Sequence, residues 1–240
     1  MTGSPTRTTY RHGDLRRALV VAGYALARAA GPDAVVLREA TRRSGVTPSA
    51  AYRHFADRRA LLAAVCDAAQ AALADAIEDE QQAAPDDAVA GFLAVGTGYV
   101  RFARQEPGLF RTAFSVPDDV GGRGDEVRSG RGGRTPFQLL TDALDRLVEV
   151  GALRPEQRAG AEFLAWSAVH GLATLAIDGP LRALPDEQVG AIASRLAQMV
   201  ASGLADPPTS QRKKRTSHVA VRRSDPPDRG TRREGLRGPR

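Results

Sequence analysis

The chain has 240 residues, a formal net charge of +6, 42% hydrophobic residues and a single cysteine. That length allows one large domain or two small ones with a proper core, and no run approaches the ~20 unbroken apolar residues of a membrane span. Cys66 has no partner for an intramolecular disulfide, and the N-terminus MTGSPTRTTYRHGD lacks the apolar stretch of a signal peptide; a reducing cytoplasm is the expected setting.

Charge is unevenly spread. Residues 1–60 hold 11 arginines against 4 acids, residues 61–205 hold 12 arginines against 20 acids, and residues 206–240 hold 11 lysines and arginines against 4 acids. Two basic ends around an acidic middle suggest a polyanion-binding region joined to a body with another task.

Alanine and leucine dominate and alternating strand patterns are scarce, so the expected fold is all-α. Asp14 is the expected cap of a first helix with apolar positions Leu15, Leu19, Ala22, Leu26 and Ala30, ended by Gly31-Pro32. A second runs from about Leu37 to Ser44 and stops at Gly45. Thr47 reads as an N-cap with Pro48 at the first helical position, where its missing N–H costs nothing; this third helix ends near His54. Asp57 caps a fourth with the stripe Leu61, Val65, Ala68, Ala72 and Ala76.

Beyond Pro85 the pattern predicts helices over about 86–105, 107–114 and 135–150. Between the last two, VPDDVGGRGDEVRSGRGGRT holds six glycines and little that is apolar, which reads as a mobile loop. It is not a phosphate-binding loop, because GxxxxGK[ST] is absent. One continuous helix is predicted from Pro155 to about Ile177, with the stripes Phe163, Trp166, His170, Ala173, Ile177 and Leu164, Ala168, Gly171, Leu172, Leu175. A helix apolar on nearly every side must be covered on nearly every side. One of those covers is expected to be a second subunit, with Leu172 at the contact, joined by Leu196 of a last helix over about 185–203 that also carries Val189, Ile192 and Val200. After Pro207-Pro208 the composition turns to Arg, Pro, Gly and Ser, a disordered basic tail over 206–240.

Two short helices joined by the turn Ser44-Gly45-Val46, with another packed behind, have the spacing of a helix-turn-helix. In that arrangement the second short helix enters the major groove and its N-terminal residues meet base edges. Ser49, Ala50 and Arg53 fit the outward face, and Ala51 and Phe55 fit the inward one. Tyr52 and His54 flank that face and can donate to phosphate oxygens. Arg58 and Arg59 sit in a first helical turn, where the helix dipole disfavours cations unless an anion lies opposite.

Residues 10–65, and within them Leu37-Arg38-Glu39, Gly45-Val46, Tyr52-Arg53-His54-Phe55 and Leu61-Leu62, resemble the DNA-binding domain of the TetR/AcrR family of bacterial transcriptional regulators. AWSAVHGLA resembles the Trp-x-x-x-His-Gly segment of one class of the family's C-terminal domains. The resemblance implies a three-helix helix-turn-helix domain over 10–58 after a flexible arm over 1–9, and a helical ligand-binding and dimerisation domain over 59–205. It puts Arg38, Ser49, Ala50 and Arg53 at or near bases and Thr47, Tyr52, His54 and Arg58 near phosphates, with Pro48 also in the DNA-binding set. It implies a homodimer on a palindromic double-stranded operator, a small-molecule effector, and a cytoplasmic, nucleoid-associated repressor. Two positions depart from the family: Val36-Leu37 stand where Ser or Thr usually caps the second helix, and Thr41 stands where an alanine is usual.

Trp166 and His170 are one helical turn apart and share a face, as a core pair or as part of a ligand pocket. For a pocket, Phe102, Phe110 and Phe137 are the other candidate lining residues. His12, His54, His170 and His218 lie in four different segments, with no HExxH, CxxC or GxSxG, so no metal site, cofactor or catalytic centre is expected. The alternative is a non-inducible architectural or partner-binding protein with the same head.

Overall fold

The computed structural model describes residues 12–117 and 125–205, which are helical with no strand among them. The arm over 1–9, most of the glycine-rich segment's first half, and the tail over 206–240 lie outside the described residues. Four helices come first: α1 (His12–Ala30), α2 (Leu37–Ser44), α3 (Pro48–Tyr52) and α4 (Arg58–Ala83). α1 begins two residues before Asp14, which therefore lies in its first turn instead of capping it. Asp57 does cap α4: its Oδ1 accepts the Ala60 N–H at 2.8 Å.

The buried face of α4 is Leu61, Leu62, Val65, Cys66, Ala69, Leu73, Ala74 and Ile77. Ala68, Ala72 and Ala76 are only half-buried, so the expected stripe is right at its start and one residue out of phase beyond Val65. The larger Leu73 and Ile77 fix the true phase, because they bury most area per residue. By length and mean hydropathy (1.6) α4 would pass for a membrane span. Its Leu61, Val65, Leu73 and Ile77 are instead wholly buried against neighbouring helices, as in a core helix.

The body follows as α5 (Ala88–Gln105), α6 (Pro107–Ala113), α7 (Asp125–Arg128), α8 (Pro136–Glu149), α9 (Pro155–Arg158), α10 (Ala161–Ile177) and α11 (Asp186–Ala205). α5 lies at the centre, packed on α4, α8, α10 and α11. The single helix expected from Pro155 is two: Gly160 turns into the left-handed region (φ 77°) and α10 starts afresh at Ala161. α8 opens on a reciprocal cap in which Thr135 Oγ1 accepts from Gln138 N at 3.2 Å and Gln138 Oε1 from Thr135 N at 2.9 Å.

Residues 125–135 are not the free loop that their glycines suggested. Arg128 Nε meets Asp67 Oδ1 at 2.8 Å, Arg131 N donates to Asp75 Oδ1 at 2.7 Å and Gly132 N to Glu78 Oε2 at 3.1 Å. The segment is a strap on the acidic face of α4. A Cβ at Gly132 would stand 2.4 Å from Glu78 Oε1, so here glycine permits close approach.

α6 bridges α1 and α4. Glu106, just ahead of it, accepts from Arg28 Nε at 2.7 Å on the last turn of α1. Gly108 presses on α1 so closely that a Cβ there would lie 2.3 Å from the Ala27 carbonyl oxygen. At its far end the Ala113 carbonyl accepts from Cys66 Sγ at 3.1 Å and Gln70 Nε2 at 2.9 Å, both on α4.

On the outer faces of α10 and α11 a set of apolar side chains remains uncovered: Leu164 is 64% exposed, Phe163 51%, Leu175 45% and Met199 63%. Leu172 corrects the expectation at that surface. It is buried inside the subunit, and Leu196 is half-buried against the same core.

Candidate DNA-reading surface and interior pocket

The turn between α2 and α3 needs a backbone reversal that a side chain would resist. Gly45 supplies it at φ 67°, ψ 25°, in the left-handed region, and the Val46 N–H then closes on the Thr41 carbonyl at 3.1 Å. Thr41 is buried, and its hydroxyl is satisfied by the Arg38 carbonyl at 2.7 Å; the extra polar atom at the family's alanine position is thereby accommodated. Val36 is extended and offers α2 no side-chain cap. Ala51 and Phe55 plug the space beneath α3, with the Arg16 guanidinium 5.1 Å above the Phe55 ring centroid.

This packing sends the rest of α3 outward. Thr47, Pro48, Ser49, Tyr52 and Arg53 are exposed, as is Arg38 on α2, while Ala50 and His54 are half-buried. Thr47 enters the helix through its backbone, its carbonyl accepting from Ala50 N at 3.1 Å; its hydroxyl lies 3.2 Å from Ser49 Oγ instead of capping. Arg58, expected near phosphates, is exposed and also makes contacts within the chain. Its Nε donates to the Val35 carbonyl at 2.9 Å and its Nη2 to the Pro32 carbonyl at 2.8 Å, with Asp33 3.5 Å away. It ties the start of α4 to the α1–α2 connection. On the flank of α2, Arg42 and Arg43 both donate to Glu39 and hold its carboxyl far down, to about 2. That pairing was visible as Glu39 spaced three and four residues ahead of two arginines.

The body holds a partly open cavity of about 230 Å³. Phe92, Val95, Gly96 and Tyr99 of α5 form one wall, at the spacing of a helical stripe. Phe137 and Leu140 of α8, Ala165, Trp166 and Val169 of α10, and Phe114 just beyond α6 form the others, with Gln70, Asp125 and Arg128 as polar members. Of the aromatic residues predicted to line a pocket, Phe137 and Trp166 do. Phe102 and Phe110 are buried in the core off this wall, because they project from other faces of their helices. His170 stands behind the wall and acts through Tyr99.

Trp166 Nε1 donates to the Tyr99 oxygen at 3.2 Å, and that hydroxyl lies 2.8 Å from His170 Nδ1. Burial lowers the His170 pKa and raises that of Tyr99. With the imidazole held neutral, the indole N–H, the phenol and Nδ1 form one polar chain across α5 and α10. Phe114 stacks edge-on to His170 with centroids 4.9 Å apart, and Phe110 stands perpendicular to Tyr99 at 5.4 Å. Phe92, Tyr99 and Phe114 were missed by the sequence reading, although Phe92 and Tyr99 share a stripe with Val95 and Gly96. Phe114 carries no periodic signal, since it lies past a helix end.

Burial raises the pKa of Cys66, away from the reactive thiolate, and its thiol is engaged with the Ala113 carbonyl. Among the described residues no group of three or more His, Cys, Asp or Glu could hold a metal ion.

Comparison with known families matches residues 19–65 to the bacterial regulatory proteins of the tetR family and residues 92–200 to the tetracyclin repressor-like C-terminal domain. No curated protein matches. Among solved structures, a protein of unknown function from Rhodococcus sp. RHA1 is 28% identical with a TM-score of 0.65, over 83% of this chain and 100% of that one. A TetR family transcription regulator from Marinobacter aquaeolei VT8 is 19% identical with a TM-score of 0.56, over 78% and 94%. A TetR variant from Acinetobacter baumannii AYE in complex with minocycline is 15% identical with a TM-score of 0.54, over 83% and 100%. The two matched segments carry the head and the pocket of one architecture, and the chain belongs to the TetR family of DNA-binding transcriptional regulators.

Proposed function

We propose that the protein is a cytoplasmic, homodimeric repressor that grips a palindromic operator and is released when a small molecule enters the interior pocket. One observation carries this reading: α6 runs from the wall of the cavity to α1 of the helix-turn-helix domain. Its C-terminal residue Ala113, with Phe114 beyond, lines the cavity, and its N-terminal Gly108 rests on the last turn of α1. A ligand that displaces Phe114 pushes on a short rigid helix, and α1 and α4 move with it because both are bonded to it. The spacing of the two heads then leaves groove register. Release needs only that the ligand prefer the displaced state, and the coupling is reciprocal, so operator must weaken ligand binding by the same factor.

Exposed Pro48, Ser49 and Arg53, with Arg38 and half-buried Ala50, support base readout; Thr47, Tyr52 and His54 support the phosphate contacts. The test uses fluorescence anisotropy on DNA flanking the protein's own gene, with a small-molecule library added. Operator release should be accompanied by a change in the emission of Trp166, the only tryptophan. Trp166→Ala should keep operator affinity and lose release. A variant released by the same compound at the same concentration would remove the pocket from the mechanism.

A further inference from the structure

Hydrogen-bond bookkeeping on the cavity wall restricts what can occupy it. Trp166 has one N–H, and it is given to Tyr99. The Tyr99 oxygen takes that N–H and lies 2.8 Å from His170 Nδ1, so the polar atoms of this wall are engaged with one another. The charges at the polar end have an acidic excess. Arg128 Nε is 2.8 Å from Asp67, which leaves Asp125, whose Oδ2 accepts from the neutral Gln138 amide at 3.2 Å. An incoming anion at Arg128 would lie beside two carboxylates, Asp67 and Asp125. An incoming N–H donor finds the Asp125 carboxylate already in place, and the aromatic faces around it favour a cation over an anion.

The geometry points to an aromatic amine as the class of effector: flat rings among Phe114, Phe137 and Trp166, with a protonated nitrogen toward Asp125. This rests on reading the cavity as the effector pocket. The volume suits it, since a cavity of about 150 Å³ holds one benzene ring and this one measures about 230 Å³.

Three probes of matched shape test it by titration calorimetry on the full-length protein: 2-naphthylmethylamine, 2-methylnaphthalene and 2-naphthoate. The amine should bind roughly tenfold or more tighter than the hydrocarbon, and the carboxylate should bind weakest. Asp125→Asn keeps the side-chain shape and an acceptor for Gln138, and should bring the amine to within about threefold of the hydrocarbon. Carboxylate binding as tight as the amine, or an amine preference unchanged in Asp125→Asn, overturns the inference and leaves the pocket standing. Heat from none of the three probes overturns the pocket reading itself.

Discussion

At the scale of single residues, α3 divides its labour by exposure. Tyr52 is 59% exposed and Arg53 is free of the core, so neither contributes much to stability and both are available to DNA. Arg53→Ala should cost about 1–3 kcal/mol against operator, the size of a bidentate base contact, and less against random DNA. Tyr52→Phe should weaken both by similar factors, since a phosphate contact carries no sequence information. Competition titrations with operator and scrambled duplex separate these outcomes; loss of discrimination in Tyr52→Phe would exchange the two roles. The interior residue His170 makes a different prediction. Burial lowers its folded pKa below the ordinary value of about 6.5, so the unfolded chain takes up the proton first. The stability this group contributes is complete above about pH 6.5 and is lost as pH falls toward the folded pKa, at no more than about 1.4 kcal/mol per pH unit. Urea midpoints between pH 7.5 and 5 should therefore fall further for the wild type than for His170→Gln. Parallel curves would mean that folding leaves the His170 pKa unchanged.

At the scale of elements, the short helix α6 and the strap over 125–135 matter more than their lengths suggest. α6 has seven residues, yet it joins a cavity wall to the end of α1 through Gly108. Gly108→Ala places a methyl 2.3 Å from a backbone oxygen that cannot swing aside. The cost of such overpacking is about 1–3 kcal/mol, and α6 must withdraw from α1. The variant should stay folded with a lowered melting temperature and bind operator weakly without any ligand, as if already released. Anisotropy together with a melting curve checks this; wild-type operator affinity at an unchanged melting temperature would show that the contact transmits nothing. The strap shows why composition misled at this scale. Glycine and charge together resemble solvated loop, but the arginines and backbone N–H groups of 128–132 meet Asp67, Asp75 and Glu78, which fall on one face of α4. That complementarity exists between segments more than fifty residues apart and leaves no mark in either one.

At the scale of the whole molecule, the uncovered stripes of α10 and α11 are the surface on which the proposed homodimer would form. Leu164 and Leu175 lie on one side of α10, in line with Ala168 and Gly171, whose small side chains would let another helix approach. Leu175→Arg should yield a monomer in sedimentation with unchanged helical content. Operator affinity should fall by about two orders of magnitude, because the second head no longer binds at the effective concentration that linkage supplies. A variant that sediments as the wild type would move the interface elsewhere. Leu172 is the wrong residue for this test: its burial makes an arginine there a core defect, not an interface probe.

The chain alone determined the helical class, the helix-turn-helix and the family, because these are written in short-range terms: Gly45 after α2, Pro48 opening α3, Asp57 capping α4, and the paired aromatic and basic residues of α3. It also marked Trp166 and Phe137 as pocket residues, being large aromatic groups on helices with more apolar surface than one neighbour could cover. The tertiary structure decided what depends on rotation about a helix axis or on partners distant in sequence. It turned Leu172 inward and Leu175 outward, took Phe102 and Phe110 into the core, and brought Tyr99 of α5 to Trp166 and His170 of α10. It brought Arg58 to the carbonyls of Pro32 and Val35. An arginine in a basic segment is equally suited to phosphate or carbonyl oxygen, and which it meets depends on how the helices around it pack.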